Sequence, residues 1–509
     1  MKLSALSTQT TRTQRAKLNI YGGLLVQVVT IICGLVVPRL LLSAFGSDAY
    51  GATASIAQFL SYITLLEGGI GGVARAALYK PLAENNWEQV SRILNEIKYF
   101  FRVIGVIFIA YTLVIACTFK SISHFAYYDW LSTFLLVIVI SFSTLAQYFI
   151  GISYYLLLHS AQRGYIQKLI STAGIFLNTL LVVVLVYFRC GLITVKLVSA
   201  LVFLLQPLAL YGYVRTHFPL VKTREKDTKA LSQKWHGLSQ HLAYFLHNNT
   251  DITILTVFTT LPLVSVYAIY NMIVTQIQNL TLSFTQGMEA LFGELLAKKE
   301  LAALHKTFDY YETLISVCAL PLFTTTLVMI VPFVRLYTHG VTDAPYTQPV
   351  FAALLVLATL LHCLRMPYHT LTIAAGHFKQ TQGAAYGEAV LNITLSILLV
   401  WRFGLIGVAV GTLVAVGFRF IYYIGYLGRE IFRRDIRHAV KRLMVNAAIL
   451  VVSGYAGYLI LTHYAAGSYI QWALLSGAVA VVSGVVTLIG NTVFYAPVMR
   501  GLLRQVKRL

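Results

Sequence analysis

Apolar runs long enough to cross a bilayer follow one another from residue 18 to residue 494, separated by short polar links. A helix of about 20 apolar residues spans the hydrocarbon core, and on that rule the chain divides into fourteen spans. Six cover 18–44, 51–79, 99–119, 131–158, 169–188 and 192–214. Six more cover 238–260, 263–292, 313–334, 350–374, 383–401 and 405–427, and the last two cover 443–462 and 470–494. The pattern predicts an all-α polytopic membrane protein. Span 2 carries Glu67 beside a glycine patch at 68–72, which predicts close helix approach or a break in the helix. One link is patterned. Trp87, Val90, Leu94 and Ile97 recur at helical spacing among Glu84, Glu88, Arg92 and Glu96, predicting an amphipathic helix over 83–98 that lies in the interface.

The pattern also repeats. Residues 176–193 read FLNTLLVVVLVYFRCGLI and residues 390–406 read VLNITLSILLVWRFGLI. Asn178 answers Asn392, Arg189 answers Arg402, and Gly191-Leu192-Ile193 answers Gly404-Leu405-Ile406. Leu301, Leu304, Phe308 and Tyr311 echo the amphipathic link at the same offset of about 214 positions. That period is far too long for a solenoid and predicts a duplicated half, as in transporters built from repeats. The expected domains are a basic tail at 1–17, an N-terminal six-helix bundle at 18–230, a C-terminal six-helix bundle at 231–442, two further helices at 443–494 and a basic tail at 495–509.

Charge sets the expected orientation. The net charge is +21, yet only 11% of the 509 residues are charged, and the basic ones collect in the short links. With the N-terminus inside, only Lys120, Arg189, Lys196, Arg335 and Arg402 of the 39 Lys and Arg residues face outward, and Arg39, Arg365 and Arg419 lie within spans. The excess of Lys and Arg on one side predicts that both termini are cytoplasmic, and the same distribution argues against nucleic-acid binding. An even number of spans per half predicts two bundles in the same orientation, related by an axis along the membrane normal. The polar start predicts no removable signal peptide. The five cysteines stand singly, with no spacing for a metal site or a disulfide framework.

What remains to carry chemistry is charge inside the membrane, where each ionised group costs about 2.5–3.5 kcal/mol unless paired or hydrated. Arg39, Arg365 and Arg419 are candidates for holding a phosphate-bearing substrate, because guanidinium stays charged and binds phosphate oxygens bidentately. His362 and His369 share a helical face with Arg365, and Pro367 predicts a kink there. Glu67, Asp251 and Glu388 are candidates for a coupling sodium ion or proton, with His247 one turn from Asp251. Each basic residue has a plainer reading as a snorkelling or structurally paired charge, and each acid as a protonated or paired group. Asn271, Gln276, Tyr368 and His362 are polar groups that could line a cavity. No hydrolytic triad, phosphate-binding glycine loop or cofactor motif is readable.

Four stretches carry a family resemblance: PRLLLSAFGSDAYG after span 1, NNTDITILTVFTTLPLVSVYAIYN from span 7 onward, LYTHGVTDAPYTQP, and AAGHFKQTQGAAYGEAVLNITLSILLVWRFGLIGVAVGTLVA. In their order and spacing the chain resembles the polysaccharide transporter branch of the MOP exporter superfamily, the Wzx-like flippases, over nearly its whole length. The resemblance implies two six-helix bundles around a central cavity plus two further helices. It also implies movement of a polyprenyl-pyrophosphate-linked oligosaccharide from the inner to the outer leaflet of the bacterial plasma membrane, with the lipid bilayer and polysaccharide polymerase machinery as partners. Three readings compete with it. A cation-coupled drug exporter of the same superfamily would usually have twelve spans and often an acid in span 1, where this chain has Arg39. Span 8 has no Lys or Arg in its core, unlike the lipid II flippases. A membrane-embedded polymerase or glycosyltransferase would need a sizeable polar loop, and the longest link, residues 215–234, is basic.

Overall fold

The computed structural model describes residues 12–506 apart from 68–69, 124, 224, 228–244, 246–248, 284, 286, 433–434 and 465. Gly68, Gly69, His247, most of the first half of span 7 and part of the basic link at 215–234 therefore lie outside the described residues. The described residues contain helices and no strands. In order they are α1 (Arg12–Ser61), a 3-10 turn (Tyr62–Glu67), α2 (Ile70–Ala83), α3 (Trp87–Ser123), α4 (Trp130–Ala146), a π turn (Gln147–Gly151), α5 (Ile152–Ser160), α6 (Gly164–Tyr187) and α7 (Leu192–His217). They continue with α8 (Asp251–Phe258), α9 (Leu261–Ser283), α10 (Met288–Ala297), α11 (Leu301–Tyr337), α12 (Pro349–Ala374) and α13 (Phe378–Phe403). The last four are α14 (Leu405–Glu430), α15 (Arg437–His463), α16 (Tyr469–Phe494) and α17 (Ala496–Val506).

Eleven described helical stretches are long and apolar enough to cross a membrane. The first, Leu25–Glu67, has 43 residues and is broken at Gly46, whose φ of 79° lies in the left-handed region, so it carries span 1 and the first part of span 2. Helix α9, with Asn271, Gln276 and Gln278, is not among the eleven. Span 8 also ends sooner than its apolar run suggests. Gly287, at φ 91°, separates α9 from α10.

The amphipathic link is not a separate interfacial helix. Trp87 to Ser123 is one continuous helix of 37 residues, with Val90, Leu94 and Ile97 buried on the same face as Phe101 and Phe108. No proline interrupts it, and its length of about 55 Å exceeds the hydrocarbon thickness of about 30 Å. Its first turns therefore extend beyond the core while their apolar face packs on the bundle. Helix α11 repeats this design with 37 residues and buried Leu304, Phe308 and Tyr311. Trp87 and Leu301, the first residues of the two helices, lie 214 positions apart, as do the last, Ser123 and Tyr337. Left-handed turn residues recur at the same offset: Asn85 (φ 53°) with Lys299 (φ 57°), and Gln162 (φ 57°) with Gly376 (φ 71°).

The chain forms two compact units. Unit 1 is Met1–Phe245 with Thr260–Ser265, and unit 2 is Leu246–Thr259 with Val266–Leu509. In unit 1, α1 packs on α6, and α4 packs on α3 and α7. In unit 2, α14 packs on α12 and α13, while α11 holds α12, α15 and α16. The two helices that follow the duplicated part join unit 2 by inverted amphipathicity. On α16, Ser483, Thr487 and Asn491 are buried at four-residue spacing, whereas Val481, Val485, Ile489 and Val493 are exposed. That is the pattern of a helix whose outer solvent is lipid. Helix α15 meets α11 through polar rungs: Arg442 Nη2 donates to Thr313 Oγ1 at 2.5 Å, Asn446 Nδ2 to Ser316 Oγ at 3.2 Å, and Ser453 and Thr324 share a hydroxyl bond at 3.3 Å. In lipid such bonds help hold helices together because a lone polar group has no water to turn to. The segment after α16 is helical as α17, with Met499 buried and Arg500 and Arg504 exposed.

Candidate functional site

Three helices of unit 2 bring together charges that lie far apart in sequence. Pro367 sits inside α12, where it frees a backbone carbonyl near Arg365. Glu388 lies on α13 and Arg419 on α14, and all three side chains are almost wholly buried. Arg365 Nη1 pairs with Glu388 Oε1, and Arg419 Nη1 lies 2.5 Å from Glu388 Oε2. One carboxylate thus faces two guanidinium groups, which leaves the cluster with an excess positive charge. Arg365 Nη2 meets His362 Nδ1 at 3.0 Å, while Arg365 Nε is buried with no acceptor among the described residues. Arg419 donates to the Tyr423 hydroxyl from Nη2 at 2.9 Å and from Nε at 3.2 Å, and that hydroxyl also meets His369 Nδ1 at 3.0 Å. The pairing offsets the burial of charge that would otherwise be prohibitive in this medium.

On the same helix α12, Leu357, Leu360, Leu361 and Leu364 line an apolar groove of about 340 Å³, completed by α11, α14 and α15. Leu364 is the neighbour of Arg365, so α12 carries both an apolar wall and one of the two cations of the cluster.

A second cluster is built almost wholly of oxygen. Asp251 Oδ2, on α8, accepts from the Tyr267 hydroxyl at 2.8 Å and from Thr412 Oγ1 at 3.0 Å. Thr412 also lies 3.3 Å from Asn392 Oδ1, which receives Ser396 Oγ at 3.1 Å. The Val408 carbonyl accepts from Thr412 at 3.1 Å. Asp251 Oδ1 is buried beyond hydrogen-bond distance of any partner among the described residues, as is Nδ2 of Asn392, the amide that interacts with the same carboxylate. Carboxylate, amide, hydroxyl and carbonyl oxygens converging from α8, α9, α13 and α14 are the donor set of a hard cation, and the orphaned oxygen fits either a small cation or a proton. Two of the helices approach closely because α14 presents Gly407 and Gly411 to α13. A Cβ on Gly407 would run into the backbone of Leu399, and one on Gly411 into Ser396.

The remaining expected residues fall elsewhere. Arg39 is partly buried on α1 next to Pro38, in unit 1. Glu67 ends the 3-10 turn that interrupts span 2, and its Oε1 accepts the Tyr148 hydroxyl at 2.6 Å. Tyr148 lies on the π turn, so two helix irregularities of unit 1 meet at this bond. Tyr368 donates to Glu312 Oε1 at 2.5 Å. Asn271 and Gln276 are half-buried on α9. Asn392, Ser396, Thr412, Glu312 and Tyr423 were not among the expected site residues. Glu388, Asn392 and Ser396 stand at four-residue intervals on α13, a buried polar stripe that hydropathy alone passes over.

No family model matches the chain, and no curated protein sequence matches it. Solved structures do. An inward closed lipid II flippase MurJ superposes with a TM-score of 0.72 at 14% identity, covering 94% of this chain and 100% of its own. The MATE multidrug transporter DinF-BH gives 0.59 at 17% identity, covering 85% and 99% respectively. The Vibrio cholerae MATE transporter VcmN in its bent form gives 0.53 at 15% identity, covering 84% and 100%. Lipid and drug carriers share this scaffold, so the likeness fixes the fold and not the cargo. The chain is a multi-pass membrane protein with the fold of the MOP-superfamily transporters.

Proposed function

We propose that the protein is a flippase that translocates a polyprenyl-pyrophosphate-linked oligosaccharide across the bacterial plasma membrane by alternating access, for surface polysaccharide synthesis. The observation that carries this reading is the excess positive charge of the Arg365–Glu388–Arg419 cluster, next to a helix wall that lines an apolar groove. A pyrophosphate presents paired anionic oxygens much as Glu388 does, and guanidinium forks recognise both. The groove suits a polyprenyl chain, which stays apolar while its headgroup and glycan cross about 30 Å of hydrocarbon. Arg39 is the corresponding candidate cation of unit 1. Asn271, Gln276, His362 and Tyr368 offer hydrogen bonds for sugar hydroxyls. In this reading Glu388 holds the two guanidinium groups in place until the pyrophosphate takes them over.

The oxygen cluster at Asp251 supports a coupling role for sodium or a proton. Glu67, which accepts the Tyr148 hydroxyl, is a second acid within the helical region that a proton could neutralise. The termini, on this reading, are cytoplasmic.

The experiment is the lipid-linked glycan pool of cells lacking the protein, scored by leaflet. Accumulation of complete units on the cytoplasmic face, relieved by the wild type and not by Arg365→Ala, supports the flippase. Normal arrival of units at the outer face removes this cargo. Energised extrusion of a cationic dye by reconstituted protein would then favour the drug-exporter reading.

A further inference from the structure

A different set of groups gathers where α11 and α15 begin. Asp309 and Glu312 stand three apart on α11 and so share a face. His438 is the second residue of α15. Their ligating atoms all lie within 4.8 Å of one another. Glu312 is 5% exposed, and its Oε1 is held by the Tyr368 hydroxyl at 2.5 Å. A hydrogen bond of this kind fixes the orientation of the carboxylate. A cavity of about 30 Å³ opens beside the cluster, lined by Glu312, Tyr368, His438 and the carboxylate-bearing Asp435. That is room for about one water molecule or one ion. Phe308 and Phe432, with ring centroids 4.6 Å apart, form its apolar wall.

We propose that Asp309, Glu312 and His438 bind a divalent transition-metal cation that staples α15 to α11. Two carboxylates against one imidazole leave negative charge that Arg442, which lines a neighbouring cavity with Glu312, offsets in part, and a dication held by the cluster offsets it further. One imidazole with two carboxylates suits a borderline first-row ion such as zinc. Metal–ligand distances of about 2.0–2.2 Å place the donor atoms roughly 3–3.5 Å apart, a small side-chain adjustment from the observed spread. Asp435, an exposed carboxylate on the cavity lining, lies outside the three-residue cluster and is paired with Arg437 at 3.5 Å. The consequence is mechanical. The metal adds a rung to the ladder formed by Arg442, Asn446 and Ser453, at the end of α15 where that ladder starts.

The test uses the full-length protein in detergent, stripped with chelator and freed of any histidine tag. It is titrated with zinc(II), then desalted for elemental analysis and thermal melting. The expected result is about one retained zinc per chain and a raised melting midpoint. His438→Ala and Asp309→Asn should each weaken binding by at least about tenfold. His463→Ala, at the far end of α15, should leave binding unchanged. Should His438→Ala fail to fold, the half-buried Asp309, as Asp309→Asn, carries the comparison. Zinc retention equal in the wild type and these variants, or a melting midpoint that zinc does not move, overturns the proposal and leaves an ion-pair cluster.

Discussion

Glu388 Oε2 lies 2.5 Å from Arg419 Nη1, although the two residues are 31 positions apart, and its other oxygen is taken by Arg365. One acid therefore neutralises half of the buried positive charge around it. Removing the acid from such a cluster is costly because both cations remain buried and uncompensated. Glu388→Gln should destabilise unit 2 by about 3–5 kcal/mol. In the double variant with Arg419→Gln, much of that loss should return. Thermal melting of the single and double variants in detergent measures the coupling. Equal melting of wild type and Glu388→Gln would show that the cluster is hydrated and not sealed.

Arg365→Ala should separate function from stability. It leaves Glu388 paired with Arg419, so the fold should hold, while the excess positive charge disappears. Transport of a pyrophosphate-linked substrate should fall by at least about tenfold, the effect of losing one charged hydrogen bond worth about 1.5–3 kcal/mol. Lys should rescue poorly, because an ammonium cannot reproduce the fork.

Asp251→Asn should abolish any sodium-induced rise in melting temperature and any sodium-stimulated transport. Thr412→Val should act in the same direction, since Thr412 bonds both Asp251 and Asn392. Sodium titrations followed by thermal shift check both, with potassium as the control. If the wild type responds only to pH, the site takes a proton.

Gly411→Leu should push α14 away from α13, because its side chain would enter the space of Ser396. Overpacking of this kind costs about 1–3 kcal/mol. The same shift should loosen the Asp251 cluster, so cation response and stability should fall together. No such crowding arises at Gly425, also on α14, where a Cβ meets nothing, and Gly425→Ala is the neutral control.

Asp129 gives a pH dependence that can be signed. It caps α4, and its bonds to Ser132 hold the carboxyl below its ordinary value. A depressed folded pKa means the cap contributes fully above the unfolded value near 3.8 and is lost as pH falls through the lower folded one. Amide exchange at Ser132 should therefore be slow at neutral pH and lose its protection only in acid. Asp129→Asn, which caps without titrating, should flatten that profile.

The sequence by itself determined most of the spans, the duplication and the short list of intramembrane charges, because these rest on local hydropathy and on an offset readable along one line. The offset of 214 reappears in helix ends and left-handed turns for the same reason: each is set by a few adjacent residues. Breaks were less legible. The interruption near Glu67 was one of two outcomes its glycines allowed, whereas the merging of the amphipathic link into α3 depended on a face being covered by the rest of the bundle. Pairing was not legible at all. Hydropathy marks Arg365, Glu388 and Arg419 as costly, yet only helix rotation and approach decide which acid meets which cation. Asn392, Ser396 and Thr412 look like ordinary small polar residues in apolar helices until Gly407 and Gly411 bring α14 against α13. The sequence thus chose the residues that cannot face lipid, and the tertiary structure chose their partners, since a buried charge is stabilised only by a group within a few ångströms.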